Sequence, residues 1–308
     1  MSAKKTTQPN ANALYYGDNL GILREHIKDE SVDLIYLDPP FNSARDYNVL
    51  FASSKGEQSE AQIVAFKDSW HWGEQAEREC FEIVRGENTT VAVMMEALRQ
   101  LLGENDMMAY LVMMTNRLLE LRRVLKPTGS LYLHCDPTAS HYLKIVLDAV
   151  FGKENYRNEI IWKRKTGRGE TNNKAIRFGV SHDVILLYAA SKDTTLTRQY
   201  RPSNPAYITT AFTHTDADGR RYHLDNIASP SYRPNLIYEY KGYQPPANGW
   251  AVSRERMEQM EAEGRLYFPA DKSHRIRRKR FLDELEGETV DDLWDDVAPI
   301  HSQAQERL

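Results

Sequence analysis

A carboxylate, two prolines and an aromatic ring stand side by side at Asp38, Pro39, Pro40 and Phe41. The prolines fix φ and remove two backbone donors, so this turn is stiff and presents carbonyl oxygens. The Asp38 carboxylate and the Pro39 carbonyl could accept both hydrogens of an exocyclic amine on a nucleobase and leave the nitrogen lone pair facing a methyl group. Phe41 could stack on that base, which would have to be flipped out of a duplex. The alternative is a strand-ending Asp-Pro turn without chemistry.

This chemistry needs a rigid support, and the residues before Asp38 predict one. Ser31–Asp38 (SVDLIYLD) is an apolar, β-branched run that predicts a strand buried on both faces. Ala13–Gly17 predicts an earlier strand, and residues 19–27 (NLGILREHI) have helical spacing between the two, which makes a βαβ unit. Open α/β sheets place their sites at the carboxyl ends of strands, which is where Asp38 stands.

Helices and strands go on alternating as far as Ala190. Helices are predicted at Met107–Leu125 and His141–Gly152, and strands at Ser130–Asp136, Glu159–Arg164 and Asp183–Ala189. Beyond Ser191 the sequence changes to clusters of Pro, Tyr, Asn and Gly that are typical of turns. The pattern predicts an α/β, Rossmann-like sheet over residues 1–190 and a second domain that begins at 191.

Composition and charge narrow the class of protein. The 308 residues are 41% hydrophobic and 27% charged, which is typical of a globular chain and not of a coiled coil or a disordered one. No stretch reaches the roughly 20 apolar residues of a membrane span, so we expect a cytoplasmic protein with no membrane partner. Cys80 and Cys135 are the two cysteines, which excludes a disulfide framework and a Cys-rich zinc module, and we expect no metal site.

The net charge of -4 conceals two basic islands. The first island runs from Arg157 to Arg177, and its candidate contact residues are Lys163, Arg164 and Lys165. The second is the block HRIRRKR, His274–Arg280, with Arg277, Arg278 and Arg280 as its candidates. Clustered cations of this kind are candidates for contacts with DNA phosphates. The alternative for either island is a solvated surface whose cations pair with neighbouring acids.

Five segments together resemble the amino-group DNA methyltransferases of the β class, chiefly the N6-adenine enzymes related to type III modification subunits. The segments are GDNLGIL, LIYLDPPFNSARDYN, LRRVLKPTGSLYLHCD, HYLKIVLDAVFG and NEIIWKR. The resemblance implies methyl transfer from S-adenosylmethionine to the N6 amine of a flipped adenine in double-stranded DNA. It also implies that residues 191–290 are an inserted α+β target-recognition domain and that residues 291–308 are a return segment toward the AdoMet-binding part. It implies that Asp38 and Pro39 hold the amine. Pro40 and Phe41 complete the motif. The cofactor-binding residues that it implies are Asp18, Asn19, His134 and Asp136.

Two other functions stay open. The first is N4-cytosine methylation, although the N4 enzymes that the chain resembles more often carry Ser where Asp38 stands, which favours adenine. The second is a catalytically silent, truncated DNA-binding protein that has lost the half that binds the cofactor.

One departure from the resemblance is large. The family places a glycine-rich AdoMet motif after its recognition domain, and no such motif occurs here. That part would carry the central strands of the sheet, so Ser31–Asp38 would become an apolar edge, which is an association hazard. We therefore expect an incomplete sheet, in a truncated enzyme or in one completed by another chain. Candidate partners besides DNA are a complementing or dimer chain and a restriction subunit.

Overall fold

The computed structural model describes residues 12–39, 70–164 and 178–299, together with the backbone of two strands at 45–49 and 63–68. In chain order the helices are α1 (Asn19–His26), α2 (Glu74–Arg85), α3 (Thr89–Leu102), α4 (Asp106–Val124), α5 (Ser140–Phe151), α6 (Pro205–Ala211) and α7 (Arg254–Ala262). The strands are β1 (Val32–Leu37), β2 (Arg45–Val49), β3 (Ile63–Asp68), β4 (Leu125–Cys135), β5 (Tyr156–Lys163), β6 (His182–Ala189), β7 (Tyr200–Arg201), β8 (His214–Thr215), β9 (Arg221–Asn226), β10 (Leu266–Tyr267), β11 (Arg277–Phe281), β12 (Glu288–Thr289) and β13 (Leu293–Trp294).

Contacts between Cα atoms divide the chain into two compact units. Unit 1 comprises residues 1–196 and 291–308, and unit 2 comprises residues 197–290. Each unit has its own cluster of buried apolar side chains. Within the described ranges, no helix combines the length and the apolar character that crossing a membrane requires.

The main sheet of unit 1 has the strand order β1-β4-β6-β5-β13. β4 runs parallel to β1, β6 is antiparallel to both of its neighbours, and β13 runs parallel to β5. The carboxyl ends of β1, β4 and β5 therefore lie at the same edge of the sheet as the first residues of β6. The predicted α/β class is confirmed, and so are the helices at α1, α4 and α5 and the strands at β1, β4, β5 and β6.

β1 is the edge strand of this sheet in the part of the chain that the structure describes. The prediction that this strand is buried on both faces is wrong, because Leu34 and Tyr36 are 56% and 55% exposed and Ile35 alone is buried. A strand with one neighbour leaves half of its backbone groups and much of its side-chain surface uncovered. The expectation of an exposed apolar edge describes β1 correctly.

The strand predicted at Ala13–Gly17 is also wrong, because this segment has no strand pairing. Leu14 is 99% exposed, and the Tyr15 ring stacks on His26 of α1 at 5.6 Å between centroids. The local pattern of Tyr and Leu favours a strand. A strand nevertheless needs a neighbour to satisfy its backbone groups, and β1 does not provide one here.

The connection from α4 to β4 is shorter than the sequence predicts. Leu125 follows α4 directly and pairs with Val32, after which Lys126–Gly129 bulge out before Ser130 pairs with Leu34. Gly129 suits this close approach, because a Cβ there would lie 2.8 Å from the Asp33 carbonyl oxygen. The bulge lets β4 begin five residues earlier than the predicted strand and still reach the same carboxyl end.

The core of unit 1 is built around α4. Every residue from Met108 to Thr115 is buried, because α1, α2, α3 and α5 all contact this helix. The Met and Leu side chains in this part of α4 are thus core, and the helix is covered on all sides there. This central helix fixes the position of β4, which follows it without a loop.

Unit 2 contains an antiparallel sheet with the strand order β10-β11-β9-β8 and a two-stranded pair of β7 and β12. Its core includes Trp250, Met257 and Met260, which are at most 3% exposed. The indole Nε1–H of Trp250 donates to the Tyr238 carbonyl at 2.8 Å. Ser253 caps α7 by accepting a hydrogen bond from the Arg256 amide.

Candidate active site

Asp38 and His134 lie side by side at the carboxyl ends of two neighbouring strands. β1 and β4 are parallel and Leu37 pairs with Leu133, so the next residue of each strand comes into register. The Nδ1 atom of His134 is 3.0 Å from Oδ1 of Asp38. The Asp38 side chain remains 60% exposed, whereas that of His134 is 8% exposed. The ion pair therefore orients the carboxylate without removing it from solvent.

A second carboxylate lies on the other side of the His134 ring. Nε2 of His134 is 3.3 Å from Oδ2 of Asp183, the second residue of β6, and Asp183 is 1% exposed. Arg164 directly follows β5, and its Nε lies 3.0 Å from the same oxygen. The two groups form an ion pair, but they are not aligned for a hydrogen bond. Trp162 of β5 packs edge-on against the His134 ring at 5.6 Å. Asp38, His134, Asp183 and Arg164 form what we call the polar row.

The two carboxylates decide the protonation of His134. Burial alone would lower the pKa of the imidazole, but hydrogen bonds and charge from Asp183 and Asp38 outweigh it and raise the pKa to about 9. At neutral pH the ring is therefore an imidazolium that donates from both nitrogens. Asp38 and Asp183 are its two acceptors, and Arg164 is the further charge at this site.

We expect this imidazolium to make stability depend on pH. A histidine with a pKa of about 6.5 when unfolded and about 9 when folded contributes stability that is full below pH 6.5 and is lost as pH rises through 9. Urea unfolding between pH 6 and pH 10 should show a fall on the order of 2 kcal/mol.

His134→Gln should abolish that slope, whatever its effect on stability at pH 6. His26→Gln is the matched control, because it removes a half-exposed histidine that lies outside the polar row. An identical slope in wild type and His134→Gln would contradict the assignment.

The remaining residues of the predicted amine clamp are described only in part. Pro39 is buried directly after Asp38, so its ring anchors the start of the turn. Pro40 and Phe41 lie outside the described residues. Their predicted roles therefore stay predictions.

Asp18 and Asn19 stand at the beginning of α1. The Asp18 side chain caps the helix by accepting from the Leu20 amide, and Oδ1 of Asp18 also lies 2.8 Å from Nη2 of Arg117 on α4. Nε of the same guanidinium donates to Oδ1 of Asn19 at 2.7 Å. Arg117 thus fixes both predicted cofactor residues against the central helix.

A cavity of about 310 Å³ opens beside Asp18. Half of the side chains that line it are polar, and Trp70 adds an aromatic ring that packs edge-on against Tyr110. The lining residues are Asp18, Leu20, Trp70, His71, Gln75, Ala76, Glu79, Ala109, Met113 and Arg117. The Asp18 carboxylate is 63% exposed and could accept hydrogen bonds from a ligand there.

The other two predicted cofactor residues make contacts within the protein. His134 belongs to the polar row, so its ring nitrogens are used by carboxylates. Asp136 accepts hydrogen bonds from the amides of Thr138 and Ala139 at 3.1 and 3.2 Å and so caps the turn into α5. Their assignment to the cofactor stays a prediction, and the contacts indicate positioning and capping instead. Within the described ranges, no three His, Cys, Asp or Glu side chains are arranged to hold a metal ion.

The two basic islands differ in how far their charge is compensated. In the first island Lys163 is exposed, Arg164 belongs to the polar row, and Lys165 lies outside the described residues. In the second, Arg278 and Arg280 of β11 both pair with Asp225 of β9, at 2.7 and 3.3 Å. Arg277 is exposed on the opposite face of β11. The islands are therefore less uniformly basic than their sequences predict.

The sequence prediction did not name Asp183 and Arg117, which contact the candidate residues His134 and Asp18. A charged residue opening the otherwise apolar run of β6 was a signal for Asp183, since a buried carboxylate needs a partner. Arg117 gave no such signal, because a cation on a long helix is usually solvated.

Comparison with known proteins adds a family and several relatives. Residues 32–279 match a family model, N6_N4_Mtase, that is described as DNA methylase. The type III restriction-modification enzyme StyLTI Mod subunit of Salmonella typhimurium is 26% identical over 299 residues, which cover 93% of this chain and 41% of that protein. The type II methyltransferase M.EcaI of Enterobacter cloacae is 25% identical over 305 residues, which cover 98% of this chain and 56% of that protein. The chain thus spans about half the length of these relatives.

Proposed function

Because this chain belongs to the N6_N4_Mtase family of DNA methylases, we propose that it methylates the N6 amine of an adenine flipped out of double-stranded DNA. The observation that carries the proposal is the Asp38 carboxylate, which stands exposed at the carboxyl end of β1 and is oriented by His134. Pro39, buried beside it, fixes the carbonyl that would accept the second amine hydrogen.

The chemistry that these residues supply is orientation of a weak nucleophile. The lone pair of an exocyclic amine is delocalised into its ring, and two acceptors on the amine hydrogens would turn it toward the methyl donor. S-adenosylmethionine, when bound, supplies a methyl group on a sulfonium sulfur. As the new N–C bond forms, positive charge develops on the amine, and the Asp38 carboxylate stabilises that charge and can take the departing proton to solvent.

We propose that the cavity beside Asp18 holds the adenosine part of S-adenosylmethionine. Its volume of about 310 Å³, its partly polar lining and the Trp70 ring fit a flat base joined to a ribose. Asp18 is placed to accept from the ribose or the base, with Arg117 fixing the carboxylate.

We propose that a further strand pairs with the edge of β1. The exposed Leu34 and Tyr36 are apolar surface that such a strand would cover. Further residues of the same protein or a second chain could supply it. A restriction subunit is a second partner that we propose, because one relative is a Mod subunit of a restriction-modification enzyme. Both partners would meet the protein on DNA in the cytoplasm.

Transfer of labelled methyl groups to plasmid DNA tests the proposed function. The chain is incubated with labelled S-adenosylmethionine alone, and again with a lysate of the cells that encode it. We expect incorporation above the lysate background in the second mixture, and none when Asp38→Ala replaces the wild-type chain. No incorporation in either mixture would favour a catalytically silent DNA-binding protein.

We also propose that unit 2 recognises DNA and that the second basic island contacts phosphates. Replacing Arg277, Arg278 and Arg280 with alanine should weaken binding and flatten its salt dependence. Arg277 carries most of the expected effect, because Arg278 and Arg280 share Asp225. Arg277→Ala alone should reduce the slope of log K against log salt by about 0.9.

Filter binding or fluorescence anisotropy between 50 mM and 200 mM salt would measure that slope. Lys153→Ala is the control, since Lys153 is exposed at the amino end of β5, opposite the end where Lys163 stands. An unchanged slope in both Arg277→Ala and the triple variant would count against this surface.

A further inference from the structure

The polar row contains a buried carboxylate that packing does not explain. Asp183 is 1% exposed, and its Oδ1 has no hydrogen-bond partner within the described part of the chain. Burying a charge costs several kcal/mol unless partners compensate it. Both partners of Asp183, His134 and Arg164, meet its other oxygen. The arrangement fixes the His134 ring through a buried charge directly beside Asp38, which points to a role at that neighbouring carboxylate.

We propose that His134 is a positioning residue for Asp38, with Asp183 and Arg164 holding the His134 ring in place. This inference rests on the proposed function. Oδ1 of Asp38 is tied to Nδ1 of His134 at 3.0 Å, so the other carboxylate oxygen is the one that meets the target amine. Without this tie, an exposed aspartate at a strand end would sample several rotamers.

The contacts exclude a role for His134 as the base. Both ring nitrogens face carboxylate oxygens, at 3.0 and 3.3 Å, so each nitrogen carries a hydrogen. A ring with no free lone pair cannot accept the proton that leaves the amine after the N–C bond forms and the S–C bond breaks. That proton passes to Asp38, whose exposed side chain can release it to water.

The alternative is that His134 only ties the end of β1 to β4. A tie of that kind would affect stability and leave the chemistry unchanged once the protein is folded. Positioning of Asp38 makes two further demands. The pKa of His134 must depend on both carboxylates, and the rate of methyl transfer must depend on His134.

NMR titration of the His134 ring nitrogens in the full chain tests the first demand, and it needs neither cofactor nor DNA. We expect a pKa near 9 in the wild type and a clear fall in both Asp38→Asn and Asp183→Asn. Asp33→Asn is the matched control, because Asp33 lies on the same strand, is 77% exposed and pairs with Lys126. A wild-type pKa near 6.5, or one that neither variant changes, would overturn the proposal.

Methyl transfer by His134→Gln, in the mixture that shows wild-type activity, tests the second demand. We expect kcat to fall about a hundredfold, because a displacement of about 1 Å at the reacting group has an effect of this size. KM for DNA should stay within about twofold, and the decline of the wild-type rate as His134 deprotonates near pH 9 should disappear.

Three outcomes separate the two hypotheses. An unchanged kcat in a folded His134→Gln chain, with Asp38→Ala inactive, overturns the positioning role and leaves the proposed function standing. Asp38→Ala with wild-type activity overturns both. A wild-type chain that transfers no methyl group overturns the proposed function. The NMR titration of His134 then decides whether the polar row positions Asp38. Circular dichroism of each variant shows that it is folded.

Discussion

Replacing Asp38 with alanine is expected to lower the rate of methyl transfer to DNA by a factor of about 10² to 10³. The substitution removes an acceptor for the amine hydrogen and the negative charge that faces the developing cation. It also leaves the His134 imidazolium without one of its two carboxylates. DNA affinity should change little, because phosphate contacts dominate it. Single-turnover transfer of labelled methyl groups measures the rate, and anisotropy measures the affinity.

The matched control for this prediction is Asp33→Ala. Asp33 is a carboxylate on the same strand, but it lies at the other end and pairs with the exposed Lys126. We expect its rate to stay within about twofold of the wild type, because exposed ion pairs contribute at most about 1 kcal/mol. Equal losses in Asp33→Ala and Asp38→Ala would show that damage to β1, and not loss of the amine acceptor, lowers the rate.

Replacing Trp250 with alanine is expected to destabilise unit 2 by about 3–5 kcal/mol. Trp250 is fully buried, so its removal leaves a cavity among Met257, Met260 and the other core residues of this unit. It also removes the indole N–H that donates a hydrogen bond to the Tyr238 carbonyl. Hydrogen exchange followed by mass spectrometry should show faster exchange of amides in residues 197–290.

Unit 1 provides the internal control in that experiment. Its core around α4 shares no residue with the Trp250 cluster, so peptides from α4 and β4 should exchange as in the wild type. Tyr232→Ala is the control substitution, because Tyr232 is 66% exposed in the same unit and should change stability by no more than about 0.5 kcal/mol. A loss below 1 kcal/mol in Trp250→Ala would contradict the assignment of a separate core to unit 2.

Local patterns predicted most of the framework of unit 1. The positions of α1, α4 and α5 follow from helical periodicity, and β1, β4, β5 and β6 follow from their apolar, β-branched runs. The motif at Asp38 was found because its residue types are themselves unusual. Family membership then supports the kind of chemistry that those residue types indicate.

What the sequence could not predict depends on residues far apart in the chain. Ala13–Gly17 has the composition of a strand, but whether it pairs is decided by what lies beside it. The contact between His134 and Asp183 spans 49 positions, and the one between Arg278 and Asp225 spans 53. Such pairs arise from sheet order and register. Whether His134 is a cofactor residue and Arg278 a phosphate contact could therefore be examined only in the folded chain.

Identification of the methylated nucleoside tests the central claim most directly. Plasmid DNA treated with the chain and the lysate would be digested to nucleosides and analysed by mass spectrometry, with the Asp38→Ala chain treated in parallel. The expected product is N6-methyldeoxyadenosine that is absent from the Asp38→Ala sample. N4-methyldeoxycytidine in its place would correct the target base, and equal amounts of methylated nucleoside with both chains would contradict the role of Asp38.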